Sequence, residues 1–196
     1  MFLAGCATTP TAQFYALENV DVAASPGRFD RVLSVGPIDV PEYLDRPQMV
    51  SRETGNRLVV DEFNRWGGPL AEEVGRVLTG HLGAALNSQR VYGYPNRIAA
   101  DADYRVAIDI RRFDGVSGGD VVLDAAWSVI DERTLAVLET RSAIYREAWG
   151  DTDYGAYAAA MSRLVSLLGD ELVVTLQRLI DGGKKKTRRD ATGKTQ

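Results

Sequence analysis

Among its 196 residues the chain has a single cysteine, Cys6, and a single histidine, His81. One cysteine excludes an internal disulfide framework, and the two together cannot supply the three or four soft ligands of a zinc or iron–sulfur site. No metal centre and no cofactor are therefore expected. Long apolar runs are also missing: no stretch reaches 18 residues, so no helix is predicted to cross a membrane. A basic balance is lacking too. The formal charge is -4, whereas a dedicated nucleic-acid binder carries a net basic face that displaces counterions from phosphate, so no nucleic-acid partner is expected. The charge is unevenly placed. Residues 182–196 hold six basic side chains and one acid, a net of +5, which leaves -9 on the rest. What is plentiful is ordinary globular material, 45% hydrophobic and 26% charged, enough for one domain with its own core.

The two ends read differently from the middle. Leu3-Ala4-Gly5-Cys6 has the small residues before a cysteine that a lipoprotein signal peptidase binds in an extended cleft. Only Met1 and Phe2 precede this box, short of a charged region plus 7 to 15 apolar residues, so a start lying further upstream is the expected repair. Cys6 is then either a lipid attachment site or a free thiol at a frayed terminus. Ala7-Thr8-Thr9-Pro10-Thr11-Ala12 is small, polar and unpatterned, the composition of a flexible tether, which favours the first reading. Residues 1–12 are thus assigned to signal remnant, lipidated cysteine and tether. Residues 182–196 open on Gly182-Gly183 and lack large apolar side chains, so a disordered basic tail is expected.

Between them, residues 13–181 read as one α+β domain. Gln13 to Glu18 and Val32 to Val40 are short β-rich segments, the second interrupted by Gly36-Pro37, where a bulge or an edge position is expected. Gln48 to Arg52 and Arg57 to Glu62 flank Glu53-Thr54-Gly55-Asn56 and predict a hairpin. A helix is predicted from Gly68-Pro69, with proline in the first helical position, Glu72 and Glu73 in the first turn and an apolar stripe from Leu70 to Leu86. His81 lies on or beside that stripe, where a packed, hydrogen-bonded residue is expected. Alternation then gives three strands, Tyr104 to Arg111, Val121 to Asp131 and Val137 to Glu147, joined by tight turns as an antiparallel meander. A second helix is predicted from an Asp153 cap to Ile180, with Gly182 as its stop. The expected fold is a mixed, largely antiparallel sheet with two long amphipathic helices packed on one face.

No catalytic residue is expected. The one histidine sits inside a helix stripe, no Gly-x-Ser-x-Gly elbow surrounds a serine, and no glycine-rich phosphate loop joins strand to helix. Neighbouring acids such as Asp61 with Glu62 and Asp131 with Glu132 point to opposite faces of a strand.

Two segments exceed what fold physics demands: Val40-Pro41-Glu42-Tyr43-Leu44-Asp45-Arg46-Pro47-Gln48-Met49-Val50 and Arg65-Trp66-Gly67-Gly68-Pro69-Leu70. With the lipobox and the Phe14-Tyr15-Ala16-Leu17 strand, they resemble the PqiC family, auxiliary lipoproteins of intermembrane lipid-transport systems that contain MCE proteins and often ABC transporters. The likeness covers roughly Leu3 to Ile180. It implies a lipoprotein at the periplasmic face of the outer membrane, anchored by acyl chains at Cys6, that docks with an MCE-domain channel protein of the PqiB type and aids phospholipid transport. Ala7 fits outer-membrane retention in such systems. Tyr43, Leu44, Arg46, Arg65 and Trp66 have the aromatic and arginine content of a partner or subunit interface. The same residues would equally serve to hold a turn and staple a helix entry. Homo-oligomer formation, as a ring or smaller, is expected from the length of the second helix stripe. The rival readings are a stand-alone lipid carrier, which needs an apolar cavity between sheet and helices, and a hydrolase with an atypical acid pair.

Overall fold

The computed structural model describes residues 11–24, 28–53, 56–150 and 153–192. Cys6, most of the tether, Thr54-Gly55 of the hairpin turn and residues 193–196 lie outside them. In chain order the described elements are β1 (Gln13–Tyr15), β2 (Leu33–Asp39), β3 (Gln48–Arg52), β4 (Leu58–Trp66), α1 (Leu70–Ala85), β5 (Val91–Gly93), β6 (Tyr104–Gly115), β7 (Gly119–Asp131), β8 (Ala136–Trp149) and α2 (Tyr154–Thr192). They build the α+β fold expected, with the strands divided between two sheets: β5-β2-β6-β7-β8 and β1-β4-β3.

The meander β6-β7-β8 is antiparallel, whereas β2 runs parallel to both β5 and β6. Parallel neighbours need a crossover, and α1 supplies it between β2 and β5. The strand β5 has three residues, too few for an alternation to show in the sequence, which is why it was not anticipated. The expected irregularity in β2 is present: the register with β6 shifts between Val35 and Ile38. Gly36 there has φ +122, a conformation that a side chain would strain.

Strand alternation decides which face is covered. Val106, Ile108 and Ile110 of β6, with Val121, Leu123, Ala125, Trp127 and Val129 of β7, are all buried. Against them lie Leu70, Val74, Val77, Leu78 and Leu82 of α1, and Tyr157, Met161, Leu164, Val165, Leu168, Leu172 and Leu176 of α2. Each such side chain contributes about 1.5–3 kcal/mol on burial. The helices touch each other, α1 covering β2 and β5 while α2 covers β7 and β8.

Helix ends follow local chemistry with two differences from expectation. Pro69 is the residue before the first turn of α1, extended at ψ 131, and not its first helical residue. The α2 helix runs on through Gly182-Gly183 to Thr192. Each glycine costs a helix interior about 1 kcal/mol relative to alanine, and the lysines and arginines that follow are good helix formers. Asp153 caps α2 as expected, its Oδ2 accepting from Ala156 N at 2.9 Å.

The helices meet closely around His81. Its ring is buried, with Nε2 3.0 Å from Asp170 Oδ1, and Gly169 lets α2 pass directly over the imidazole. A Cβ at residue 169 would stand 2.5 Å from His81 Cδ2. Gly169→Ala should therefore force the helices apart and destabilise the domain by about 1–3 kcal/mol in denaturant unfolding; unchanged stability would show that this crossing is not tightly fixed.

Candidate functional site

The segment from Pro41 to Pro47 folds into a compact corner leading into β3. Leu44 N donates to Pro41 O at 2.8 Å, Asp45 N to Glu42 O at 3.2 Å and Arg46 N to Leu44 O at 2.8 Å. Trp66 N then donates to Pro47 O at 2.7 Å, fastening the corner to the end of β4. Leu44 and Trp66 are 3% and 4% exposed, members of the subunit's own core. Arg46, Glu42 and Asp45 face solvent, while Tyr43 and Arg65 are half-buried. Arg65 Nε donates to Glu62 O at 3.0 Å. The five residues singled out in the sequence thus lie close together but divide into two roles, anchors turned inward and polar groups turned outward.

What the inward groups hold was not visible from spacing. The Tyr43 hydroxyl donates to Asp114 Oδ2 at 2.7 Å. The same carboxylate receives both arms of Arg52, Nε on Oδ1 at 3.0 Å and Nη2 on Oδ2 at 2.7 Å, and Arg112 Nε on Oδ1 at 2.9 Å. Asp114 has no exposed surface. Burial opposes its ionisation, but the hydrogen bonds from Arg52, Tyr43 and Arg112 outweigh it and hold the carboxyl below the usual carboxylate range. Burial and the bond to that carboxylate push Tyr43 up to about 12. The Arg52 guanidinium also lies 5.9 Å from the Tyr43 ring centroid. A carboxylate whose oxygens are all engaged, flanked by two guanidiniums, is a poor base and a poor nucleophile. Its work is to tie the corner to β3 and β6.

The other acids considered from sequence also serve the backbone. Asp61 Oδ1 accepts from Phe63 N and Asn64 N, both at 2.8 Å, and Asp131 Oδ1 from Arg133 N at 3.0 Å and Thr134 N at 2.9 Å. In Asp61 partial burial is outweighed by those amide bonds, and in Asp131 the Thr134 amide dominates; both carboxyls are lowered. Neither is poised as a general acid at neutral pH.

Two open grooves flank Tyr94-Pro95, which follow β5. One, of about 470 Å³, includes Asn96, Arg97, Arg105 and Glu132. The other, of about 580 Å³, lies between Pro37-Ile38 of β2 and Gly75, Arg76 and Thr79 of α1. Sequence reasoning missed both because they depend on β5; the turn-forming run Gly93-Tyr94-Pro95-Asn96 was the only cue.

Comparison with known proteins agrees with this architecture. The family described as "ABC-type transport auxiliary lipoprotein component" matches residues 15–173. The intermembrane transport lipoprotein PqiC of Escherichia coli K12 is 25% identical over 130 residues, 65% of this chain and 68% of that protein. Among solved structures, protein XCC0632 from Xanthomonas campestris superposes with a TM-score of 0.71 at 21% identity, covering 90% of this chain and 99% of that one. An uncharacterized protein superposes at 0.69 with 17% identity, covering 85% and 99%.

The Asp114 cluster makes a testable statement about pH. Its folded-state pKa lies below the unfolded value of about 3.9, so its contribution is complete above that pH and is lost as pH falls through the folded value. Asp114→Ala should cost about 3–5 kcal/mol at pH 7, because two guanidiniums lose their buried partner. Asp114→Asn should flatten the acid limb of a stability-against-pH curve. An acid limb identical to the parent's would mean that this carboxylate is not held ionised.

Proposed function

Since the chain belongs to the family of ABC-type transport auxiliary lipoprotein components, we propose that it is anchored through acyl chains on Cys6 to the periplasmic face of the outer membrane and docks there with an MCE-domain channel protein of the PqiB type. The observation that carries the docking role is the corner at Pro41 to Pro47. Its backbone is fastened by Trp66 and its Tyr43 side chain by Asp114, yet it presents Glu42, Asp45 and Arg46 to solvent. A rigid, charged, outward corner suits recognition, since ordering it on binding costs little conformational entropy. Phospholipid is then cargo of the assembled system. Against a stand-alone carrier stands the layer between sheet and helices, filled by Trp127, Leu123, Met161 and Leu168. Against a hydrolase stand the carboxyls of Asp114, Asp61 and Asp131, all lowered and engaged in bonds that hold the fold.

The test is a paired measurement on the protein expressed behind a lipoprotein signal peptide. Arg46→Glu should weaken capture of the MCE partner at unchanged thermal stability, whereas Trp66→Ala should cost about 3–5 kcal/mol of folding stability. Cys6→Ser should abolish acyl labelling and release the protein from the membrane fraction. Partner capture by Arg46→Glu equal to the parent's, or membrane association and labelling of Cys6→Ser equal to wild type, would overturn the corresponding half of the reading.

Self-association belongs to the same proposal, with a changed rationale. The α2 stripe is consumed by its own subunit as far as Leu176, so it does not call for a partner helix. The support comes instead from β8, a 14-residue strand at the edge of the large sheet, with Leu135 before it and Val137, Leu138 and Ile144 along it exposed. A long unpaired edge is a template for pairing another chain. Ile144→Lys should shift sedimentation toward the monomer; an assembly of unchanged size would remove β8 from the interface.

A further inference from the structure

We infer that Phe14 and Phe63 form a membrane-contacting patch that seats the folded body on the bilayer holding its anchor; this rests on lipid attachment at Cys6. The pairing of β1 sets the direction in which the chain leaves the body. The strand β1 runs parallel to β4 with Gln13 opposite Asn64 and Phe14 opposite Arg65. Followed backwards from Gln13, the chain therefore passes alongside Phe63. Six residues, Ala7 to Ala12, separate Cys6 from Gln13. A trans backbone covers at most about 3.6 Å per residue, so these seven steps reach about 25 Å. The part of the body that carries β1 is held within that distance of the anchored sulfur.

That part carries two aromatic side chains that the core does not use. Phe14 is 67% exposed and Phe63 is 42% exposed. Arg65 is the partner of Phe14 across the β1–β4 ladder, and Phe63 stands two residues before it. Phe63 is also presented by a dedicated device. The β3–β4 register shifts between Gln48 and Val50, giving β4 extra residues, and Asp61 Oδ1 accepts the amides of both Phe63 and Asn64. A plain hairpin strand needs neither the extra residues nor the carboxylate clasp. Their effect is to hold an aromatic ring in water beside the exit of the tether.

The charges around the patch set the mode of contact. Arg65 is close to Glu62, Nη2 to Oε2 at 3.7 Å, and its Nε is engaged by the Glu62 carbonyl. With that pairing, the patch offers aromatic rings at headgroup depth and no net basic charge, so insertion should be indifferent to anionic lipid. A second copy of the chain is the competing occupant. Reach favours the bilayer, because the tether length keeps this face near the membrane whatever the assembly.

Cys6 is the only thiol, so the anchor can be supplied chemically. The full chain is coupled through Cys6 to vesicles of phosphatidylcholine and phosphatidylethanolamine containing a maleimide-headgroup lipid, and compared with protein capped by a soluble maleimide. Hydrogen exchange is read over residues 13–15 and 58–66. Slowed exchange on vesicles alone, lost in Phe14→Ser and Phe63→Ser at unchanged thermal stability and unaltered by added phosphatidylglycerol, is the expected result. Equal exchange in the two forms would overturn the patch. So would slowing in the capped protein that grows with concentration, which assigns the face to a second copy, or slowing that requires phosphatidylglycerol. Natural acylation of Cys6 is read separately by acyl labelling in cells, so a failure of the anchor leaves the vesicle result interpretable.

Discussion

The carboxylate of Asp114 has no exposed surface, and its two oxygens receive Tyr43, Arg52 and Arg112. A carboxylate removed from water without such partners would cost several kcal/mol, and the three donors together hold it ionised against that burial. They come from different places: the corner before β3, the end of β3, and β6 itself. Satisfying one charge therefore fixes the small sheet against the large one. Around it the same junction is closed by Tyr157, whose hydroxyl donates to Val50 O at 2.8 Å from α2, and by a bridge between Arg52 and Val116. Where β4 points, and with it β1 and the corner, follows from this arrangement.

Periodicity carried most of the architecture in the sequence. The α1 and α2 stripes and the β6-β7-β8 alternation are long enough for one face to declare itself, and the buried residues are the ones that alternation marks. Where the pattern was short or broken, it failed. Three residues of β5 leave no pattern, and with β5 went the parallel pairing to β2 and the two grooves. The Asp114 cluster was hidden for a different reason. The register of β6 with β7 shifts between Ile110 and Arg112, so simple alternation cannot be carried through to Phe113 and Asp114. Tyr43 and Asp114 are 71 residues apart, a distance over which spacing says nothing. The motif around Tyr43 was legible as unusual; its buried partner was not.

The abundant charged residues are largely engaged in holding the fold. Acids lie at turns accepting amides, as Asp61, Asp131 and Asp153 do, or beneath α2 in pairs such as Arg163 with Glu147 and Arg141 with Glu171. Pairs of this kind, partly exposed, each contribute little to stability. Their use is to line the polar inner face of β8 so that α2 can lie over the sheet edge without leaving a buried charge unmatched.

If the body is loaded through its N-terminal end, as the proposed anchor at Cys6 requires, β1 alone is a weak first link. It has three residues and, among the described residues, pairs with β4 alone, with one further bond from Gly67 N to Tyr15 O at 2.7 Å. The segment behind it is held much more firmly. Leu17 is fully buried, its amide donates to Glu73 Oε2 at 3.1 Å, and its carbonyl accepts from the Arg76 guanidinium, while Glu18 N donates to Ser162 Oγ at 3.0 Å. Those partners lie on both helices, so the chain is clasped by α1 and α2 two residues after it leaves β1. A pull entering through β1 would thus be carried into the helix layer, while β1 sets only the direction in which the chain enters the body. The corner at Pro41 to Pro47 is fixed to the same frame through Trp66 and Asp114, which places β1 and the corner in a constant relation.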